Sequence, residues 1–530
     1  MYKNEKYKIL SFSTTMRNPQ RIADFLKALL PFENHTLTHE IIMQIIFYLI
    51  KHKIYTPNYA NKHFKEILES DKMFDEVQIQ EIIENSPQEH KEAGFDKGWD
   101  SRFDTFYKLS MEFGFCFYAM GEPLVISHTG HLLIDATNEI PSNEAKIANI
   151  FLNCLMKYQR NNPFRNVSNT NAPLILLLNV LSKLQEKTQD SKLFILEIPF
   201  LLCWRDDDYN ALTHYILEFR KAYPSFAYSK ELIYEKCLKL LKTTNTKRFK
   251  LSQVCEEAVD EYIRKMRITG IISLRGNGRF IDFNTFEKSK IDYVLEHYSL
   301  YEKFDDKRAY FEYMGEIDSH ILELKEQNYT NKDDLKQKTL QSFATQYSKE
   351  QIYQELSILS HKNKTSKDEI LRFIPEPVRF EFLTAIALKQ HFRDLDIMPN
   401  YSIDDEGLPK CFAGGNKPDI ICKDKESESI VEVSLICGRG QVNNELLPIT
   451  RHLKELINSS QNSHLKHSFF AIFIAPKIYE DSKIYVEFIK YKENLDIKNL
   501  EILEFIQNIK IAYTQNQAIK NLCIQMNLGQ

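Results

Sequence analysis

The 530-residue sequence lacks an excess of charge of either sign: 69 Lys and Arg stand against 73 Asp and Glu, for a formal net charge of −4 at pH 7. This balance excludes a chain that is basic throughout, so any nucleic-acid contact must come from local patches. No two of the nine cysteines are spaced as C-x-x-C. The spacing argues against a structural zinc site and predicts buried, reduced thiols.

Long apolar runs are also missing. The opening segment MYKNEKYKILSFS lacks the apolar core of a signal peptide, and the longest apolar stretches, residues 41–50 and 469–475, are too short to cross a bilayer. We therefore expect a cytoplasmic protein that does not contact membranes. An apolar content of 43% over this length predicts two to four soluble domains.

The N-terminal half begins with short alternating elements. The sequence predicts a strand over residues 9–13 and a helix from residue 19 to about residue 30, which Asn18-Pro19 would start. A helix over 104–111 is then followed by strands over 115–119 and 124–127. The order of helix, strand, tight turn and strand is typical of a winged helix-turn-helix unit.

The same order returns later in the chain. An amphipathic helix is predicted over residues 253–267, and Gly270 ends it. Strands over 271–275 and 279–283 follow as a hairpin around Gly276-Asn277-Gly278, where Asn-Gly is a strong turn signal. Two such units predict a composite binding module rather than an enzyme core.

The C-terminal half changes character twice. Residues 290–370 are charged, poor in Gly and Pro, and helically periodic, whereas from about residue 370 a helix is followed by strands rich in Ile and Val and by further helices. The expected fold is therefore multidomain and mixed, with a mainly α-helical N-terminal region, a helical linker and an α/β domain. The expected bounds are 1–140 and 141–288 for two winged-helix-like subdomains, 289–370 for the linker and 371–530 for the α/β domain.

Two acidic residues lie on adjoining predicted strands of the α/β domain. Asp419 follows Pro418 at the start of one strand, and Glu432 lies within the next. Side chains alternate along a strand, so Glu432 and Ser434 share a face, and a hairpin can bring Asp419 and Glu432 together at an edge of the sheet. Two carboxylates, a backbone carbonyl such as that of Val433, and waters suit the octahedral shell of Mg²⁺. Such an ion can activate a water and neutralise charge on a phosphodiester.

Taken alone, this pair also fits ordinary turn and surface residues, but its neighbours favour a site. Glu381 lies on a predicted helix and shares its face with Thr384 and Leu388, so its carboxylate faces packing rather than water. Burying a carboxylate is costly unless a cation or a donor meets it. Glu445 begins the next polar stretch, and His452 follows within two helical turns.

These segments resemble the nuclease domain of the AlwI-type restriction endonucleases, a type IIS family with members that cut both strands and members that nick one. The likeness lies mainly in Phe380–Thr384, Ala413–Asp419, Glu432–Ser434, Glu445 and Pro448–His452, and further in residues 17–21, 113–136, 269–283 and 469–476.

The resemblance implies a PD-(D/E)XK nuclease domain over residues 371–530, in which Asp419 and Glu432 are the principal ligands of one or two Mg²⁺ ions. Glu445 and Glu381 would complete the acidic site as ligands or through water. Ser434 departs from the wider pattern, which usually has a lysine there, and a hydroxyl cannot supply a lysine's charge. A second metal ion or Glu445 are the alternatives for orienting the attacking water. His452 is either a catalytic helper or a histidine on the helix surface.

For recognition, the best local basic cluster lies on the second predicted helix and its hairpin. Arg and Asn read guanine and adenine edges, whereas phosphate contacts set the position on the duplex; a solvated basic face is the alternative interpretation. Two further arginines lie at a predicted helix start, where exposed N–H groups favour phosphate. The DNA-binding candidates are Arg17, Arg21, Arg264, Arg267, Arg275, Asn277 and Arg279.

The favoured hypothesis is a type IIS restriction endonuclease that cuts double-stranded DNA at a fixed distance from a short asymmetric site, with a companion DNA methyltransferase in the same restriction-modification system. One alternative is a strand-specific nicking enzyme that needs a transient dimer or a second catalytic subunit to cut both strands. The other is a DNA-binding regulator whose nuclease-like domain is inactive.

Overall fold

The computed structural model of the chain divides into two compact units. The N-terminal unit extends to residue 324 and the C-terminal unit begins at residue 331, within the described part of the chain. The structure describes residues 7–12, 19–68, 72–139, 143–165, 167–299, 301–324, 331–361, 364–414, 417–460, 468–514 and 518–523.

Helices dominate the N-terminal unit. Several begin at a polar residue whose side chain accepts a hydrogen bond from the first turn, as Thr38 does from the Ile41 N–H at 3.3 Å. The helices are α1 (Ile22–Lys27), α2 (His39–Lys51), α3 (Asn58–His63), α4 (Lys65–Leu68), α5 (Glu76–Glu84), α6 (Trp99–Glu112), α7 (His128–Asn138), α8 (Glu144–Lys157), α9 (Pro173–Thr188), α10 (Ile198–Cys203), α11 (Tyr209–Ala222), α12 (Lys230–Leu240), α13 (Ala258–Ile268), α14 (Lys288–His297), α15 (Lys307–Gly315) and α16 (Ser319–Glu323).

Both predicted helix-strand-turn-strand segments contain these elements in that order. After α6, the short strands β1 (Cys116–Phe117) and β2 (Val125–Ile126) pair antiparallel. A π-helical turn and α13 are followed by β4 (Ile272–Arg275) and β5 (Phe280–Phe283), which form the predicted hairpin. A strand that the sequence did not predict, β3 (Leu193–Phe194), adds to β5. The assignment of either segment as a winged helix remains a prediction.

The opening of the chain differs from its prediction. Residues 9–12 form no strand; Leu10 instead donates a single backbone hydrogen bond to Leu202, while Ile9 and Phe12 are buried. The helix expected from residue 19 to 30 is shorter, with a 3₁₀ turn at Pro19–Arg21 followed by α1, which ends at Lys27. Pro31 accounts for the early end, because it lacks an N–H and disfavours α-helical geometry in the preceding residue.

A five-stranded mixed sheet organises the C-terminal unit, in the order β12-β11-β10-β9-β6. The strands β10, β11 and β12 run parallel and are connected through helices, whereas β9 is antiparallel to both β10 and β6. The strands are β6 (Asp396–Pro399), β9 (Ile420–Lys423), β10 (Ser427–Val433), β11 (Ser468–Ala475) and β12 (Ile497–Glu501), with a separate hairpin of β7 (Ser402–Ile403) and β8 (Pro409–Cys411).

Six helices of the described chain surround this sheet. One side of the core is formed by residues such as Ile430, Leu453 and Phe473, each at most 1% exposed. The helices are α17 (Lys332–Gln346), α18 (Lys349–Leu359), α19 (Glu376–His391), α20 (Leu447–Ser460), α21 (Glu480–Glu493) and α22 (Ile502–Thr514). Among the described residues of both units, no helix combines the length and the apolarity needed to cross a membrane.

Candidate active site

Asp419 and Glu432 face each other across the antiparallel pair β9–β10. The register pairs Val431 with Ile420, which places Asp419 opposite Glu432 at the next position. The Asp419 N–H donates to Glu432 Oε2 at 3.1 Å, and the Val433 N–H donates to Asp419 Oδ2 at 2.8 Å. The predicted juxtaposition is therefore present. It lies at the ends of strands inside the sheet, and not on an edge strand, because β6 and β11 flank the pair.

Asn400, which the sequence analysis missed, fixes the backbone at Asp419. Its N–H donates to the Asp419 carbonyl at 2.8 Å, and its side-chain amide donates to the Pro418 carbonyl at 2.7 Å. The residue follows β6, so the segment that carries Asp419 is attached to the neighbouring strand. No sequence signal identifies this role, since both contacts join positions that lie nearly twenty residues apart in the chain.

His452 contacts Glu432 from helix α20. Its Nδ1 lies 2.8 Å from Glu432 Oε1, and with the carboxylate ionised this ring N–H is the donor. The histidine is 6% exposed, which excludes a position on the helix surface, and its Nε2 is buried without a hydrogen-bond partner. Burial, and then the charge of Arg451, lowers the pKa of His452. The ring is thus placed to orient Glu432.

Ser434 and Glu445 form a second pair beside the first. Ser434 Oγ donates to Glu445 Oε1 at 2.8 Å and accepts from the Ile436 N–H at 3.1 Å. Glu445 lies in a π-helical turn, Val442–Leu446, directly before α20; single π turns are often found at functional sites. Burial, with the charge of Asp419, raises the pKa of Glu445 to about 7, although the Ser434 hydrogen bond opposes the shift.

Glu381 is the most deeply buried of the four acids, at 3% exposed on α19. It accepts a hydrogen bond from the Ala413 N–H, while its Oε2 has no partner. Burial and then the charges of Asp419 and Glu432 raise its pKa well above the ordinary range. A buried carboxylate oxygen without a partner is unfavourable. It is available to a cation or to an ordered water.

Glu381, Asp419, Glu432 and Glu445 are called the acidic cluster below. Burial first, and then the neighbouring carboxylate, raises the pKa of Asp419; burial raises that of Glu432 to about 8. Within the described residues, no three His, Cys, Asp or Glu side chains already converge as metal ligands. The carboxylates are held by backbone N–H groups, Ser434 and His452 instead. An all-oxygen donor set with mutual repulsion and an unpartnered Oε2 nevertheless fits Mg²⁺.

The DNA-binding candidates of the first segment and of α13 differ in their surroundings. Arg17 lies outside the described residues, whereas Arg21 is exposed and its guanidinium donates to the Ile54 carbonyl. On α13, Arg264 pairs with Asp260 at 2.9 Å and Arg267 lies one turn further on. DNA binding by Arg21, Arg264 and Arg267 remains a prediction.

The hairpin β4–β5 separates the remaining candidates into two kinds. Arg275 pairs with Asp282 at 2.9 Å and donates to the Phe283 carbonyl at 2.7 Å, so its guanidinium is engaged within the hairpin. Asn277 and Arg279 are exposed at the tip, and Asn277 has the positive φ of +56° that the turn requires. The tip thus presents a donor-rich surface to solvent.

A sequence model of one family, described as the AlwI restriction endonuclease, matches residues 111–337 and 318–507. No curated protein sequence matches the chain. Three solved structures show low similarity: the small subunit of the heterodimeric restriction endonuclease R.BspD6I (19% identity, 32% of this chain and 80% of that one, TM-score 0.26), the BpuJ1 endonuclease binding domain in complex with modified DNA (12%, 60% and 100%, 0.34) and restriction endonuclease FokI (10%, 98% and 99%, 0.28).

Proposed function

This chain belongs to the AlwI restriction endonuclease family and is a site-specific deoxyribonuclease, and from that premise we propose that it is a type IIS enzyme. It would hydrolyse DNA phosphodiester bonds in a Mg²⁺-dependent reaction, at a fixed distance from a short asymmetric sequence. The observation that supports this most is the acidic cluster: four carboxylates that influence one another electrostatically, from α19, the start of β9, β10 and the π turn before α20.

We assign Asp419, Glu432, Glu445 and the Val433 carbonyl to the metal, with Glu381 completing the site. Bound Mg²⁺ would supply positive charge against the phosphodiester as it is attacked. The chain's own part is to hold these oxygens in place. Asn400 and the Val433 N–H fix Asp419, His452 orients Glu432, and Ser434 orients Glu445. Ser434 therefore acts on a carboxylate and does not replace a lysine.

Recognition is assigned to the N-terminal unit. The exposed tip residues Asn277 and Arg279 are the best candidates for base contacts, and Arg21 is a candidate for phosphate. Arg275 would stabilise the hairpin through Asp282 rather than reach a base. Double-stranded DNA is the substrate, and a companion methyltransferase would protect the host's own sites.

The test is Asp419→Asn, assayed on a defined duplex with and without Mg²⁺. We expect the loss of detectable cleavage, with sequence-specific binding retained when Ca²⁺ replaces Mg²⁺. The matched control is Glu426→Gln, an exposed acid in the β9–β10 turn, which should cleave like the parent chain. Cleavage by the Asp419→Asn protein would contradict the metal assignment.

A strand-specific nicking enzyme is the second candidate, because one cluster of this kind can cut one strand at a time. Supercoiled plasmid distinguishes the two: double-strand cleavage yields linear DNA, whereas nicking accumulates open circles until a second catalytic subunit is added. If no fragment or nick forms at any enzyme concentration, the inactive regulator is correct and the proposed function is wrong.

A further inference from the structure

A lysine outside the sheet interacts with the acidic cluster. Lys336 lies on α17, and its side chain is only 12% exposed. Its one ion-pair partner among the described residues is Asp333, at 3.7 Å, and that carboxylate is 99% exposed. A solvent-exposed pair at this distance contributes little. Other contacts must therefore offset most of the free-energy cost of burying this ammonium group.

Two hydrogen bonds attach this part of α17 to β6. Lys336 Nζ donates to the Pro399 carbonyl at 3.0 Å, and the neighbouring Gln337 amide donates to the Ile397 carbonyl at 2.7 Å. Pro399 directly precedes Asn400, the residue that holds the backbone of Asp419. The ammonium group is thus fixed at the end of β6 beside the segment that carries a principal acid of the cluster.

The aromatic ring of Tyr401 lies between Lys336 and the helix that carries Glu381. Nζ lies 5.5 Å from the centre of the Tyr401 ring, and Tyr401 packs edge-on against Phe382, the residue after Glu381, at 5.8 Å. Tyr401 is 1% exposed, and its hydroxyl has no hydrogen-bond partner. Lys336 and Glu381 also interact electrostatically. The half-buried ammonium group of Lys336 thus lies within electrostatic range of the carboxylate whose Oε2 is unpartnered.

Charge gives this arrangement a consequence for the reaction. Four carboxylates repel one another and repel the phosphodiester that must approach them. The position next to the strand end that could have carried a lysine is Ser434, whose hydroxyl is committed to Glu445. Lys417, beside Pro418, is exposed and repels Lys336 rather than replacing it.

We propose that Lys336 is a positioning residue for DNA cleavage, which supplies from α17 the positive charge that offsets the acidic cluster at Glu381. The inference rests on the nuclease function proposed above. Lys336 does not contact the substrate. It holds the end of β6 and lowers the repulsion that the phosphodiester meets, so its loss slows the cleavage step more than it weakens DNA binding.

The experiment compares Lys336→Gln, Lys336→Met and Lys336→Arg with Lys338→Met, an exposed lysine on the same helix. Gln keeps a donor for the Pro399 carbonyl without charge, whereas Arg keeps both. The single-turnover cleavage rate should fall about 10- to 100-fold in the Gln and Met variants, the range typical of residues that hold metal ligands without binding the metal. The Arg variant should cleave within about threefold of the parent rate. The Lys338→Met protein should equal the parent chain.

A second readout does not depend on activity. Mn²⁺ binding, followed by electron paramagnetic resonance without DNA, should be at least as tight in Lys336→Gln as in the parent chain, because removing a cation strengthens the attraction of the cluster for metal. The half-saturating DNA concentration should stay within about threefold.

Parent-like cleavage by Lys336→Gln would overturn the inference. So would an Arg variant as slow as the Gln variant, or weaker Mn²⁺ binding in the Gln variant, since either result shows a purely structural role. If Lys336→Met fails to fold, the Gln and Arg comparison decides the question. Failure of the parent chain to cleave any DNA in Mg²⁺ is a different result, and it refutes the proposed function itself.

Discussion

Replacing Glu432 by Gln should stabilise the metal-free C-terminal unit while it abolishes cleavage. Glu432 is 7% exposed, and burial raises its pKa from the ordinary 4.5 to about 8. A carboxyl whose folded pKa is raised binds its proton more tightly in the folded protein. Its contribution to stability is therefore fully present below pH 4.5, is lost as the pH rises towards 8, and stays absent above that. Gln has the same shape without the charge.

The expected gain can be worked out from this shift. One pKa unit corresponds to about 1.36 kcal/mol. Compared with a side chain that stays neutral, the ionisable side chain of Glu432 therefore lowers the free energy of unfolding by about 4 kcal/mol at about pH 7.5. Gln can still accept from the Asp419 N–H, but the contact of Glu432 with His452 is weakened, which removes about 1 kcal/mol. The net stabilisation is about 3 kcal/mol at this pH. At about pH 5, Glu432 is protonated in the folded state and mostly ionised in the unfolded state, so the penalty falls to about 1 kcal/mol, and the weakened contact with His452 reduces the net gain to near zero.

Hydrogen–deuterium exchange of peptides from β10 and β11 in EDTA measures the opening free energy of this unit directly. Both tryptophans, Trp99 and Trp204, lie in the N-terminal unit, so their fluorescence gives an internal reference. The control variant is Glu428→Gln, a buried acid on the same strand that pairs with Lys423 at 2.5 Å and should gain no stability. A Glu432→Gln protein no more stable than its parent at about pH 7.5, or equally stabilised at about pH 5, would refute the reasoning.

Three further changes test the fold around these units. Gly407→Ala should destabilise the C-terminal unit by more than about 2 kcal/mol in urea unfolding, because Gly407 has φ of +81° and an added Cβ would collide with the Thr339 hydroxyl on α17. Burial lowers the pKa of His391 from 6.5 to about 4. The stability contributed by its neutral ring is therefore fully present above pH 6.5, and the free energy of unfolding declines by about 3 kcal/mol as the pH falls to 4. His391→Gln should flatten that decline. Arg220→Met should cost the N-terminal unit about 3–5 kcal/mol in a thermal melt followed by tryptophan fluorescence, because it removes the ion-pair partner, at 2.8 Å, of the fully buried Glu197. A loss below about 1 kcal/mol would show that the Tyr228 hydroxyl and the Phe194 N–H are enough to hold this carboxyl.

Local patterns predicted the elements that are stabilised locally. The hairpin β4–β5 follows from Asn277-Gly278, because few residue pairs adopt the positive φ that this turn needs. The four-residue spacing over 253–267 likewise predicted α13, although not the π turn that precedes it. In contrast, β3 (Leu193–Phe194) has only two residues, and its strand geometry comes from pairing with β5, far along the chain. Apolar composition alone could not reveal that partner.

The same distinction applies to the acidic cluster. The alternation of side chains along a strand was enough to predict that Asp419 and Glu432 meet. It could not show that β9 and β10 lie inside the sheet, because that depends on the pairing of β6 with β9 and on the crossover through α20 that places β11 beside β10. Nor could it place Lys336, since α17 reaches β6 only through tertiary packing. The periodicity of residues 290–370 predicted helices without indicating what they cover.

Burial explains why this site should both attract positive charge and lower the stability of the folded chain. The environment that raises the pKa of Glu432 raises its affinity for any positive charge, whether a proton, a metal ion or an ammonium group. Without metal, the folded chain must therefore hold the acids with N–H donors, and Val433, Ala413 and the Asp419 backbone supply them. A permanent lysine on β10 would compete for the same carboxylates. With Ser434 there instead, no ammonium group on β10 would compete with the proposed metal ion, and the positive charge of Lys336 stands on α17.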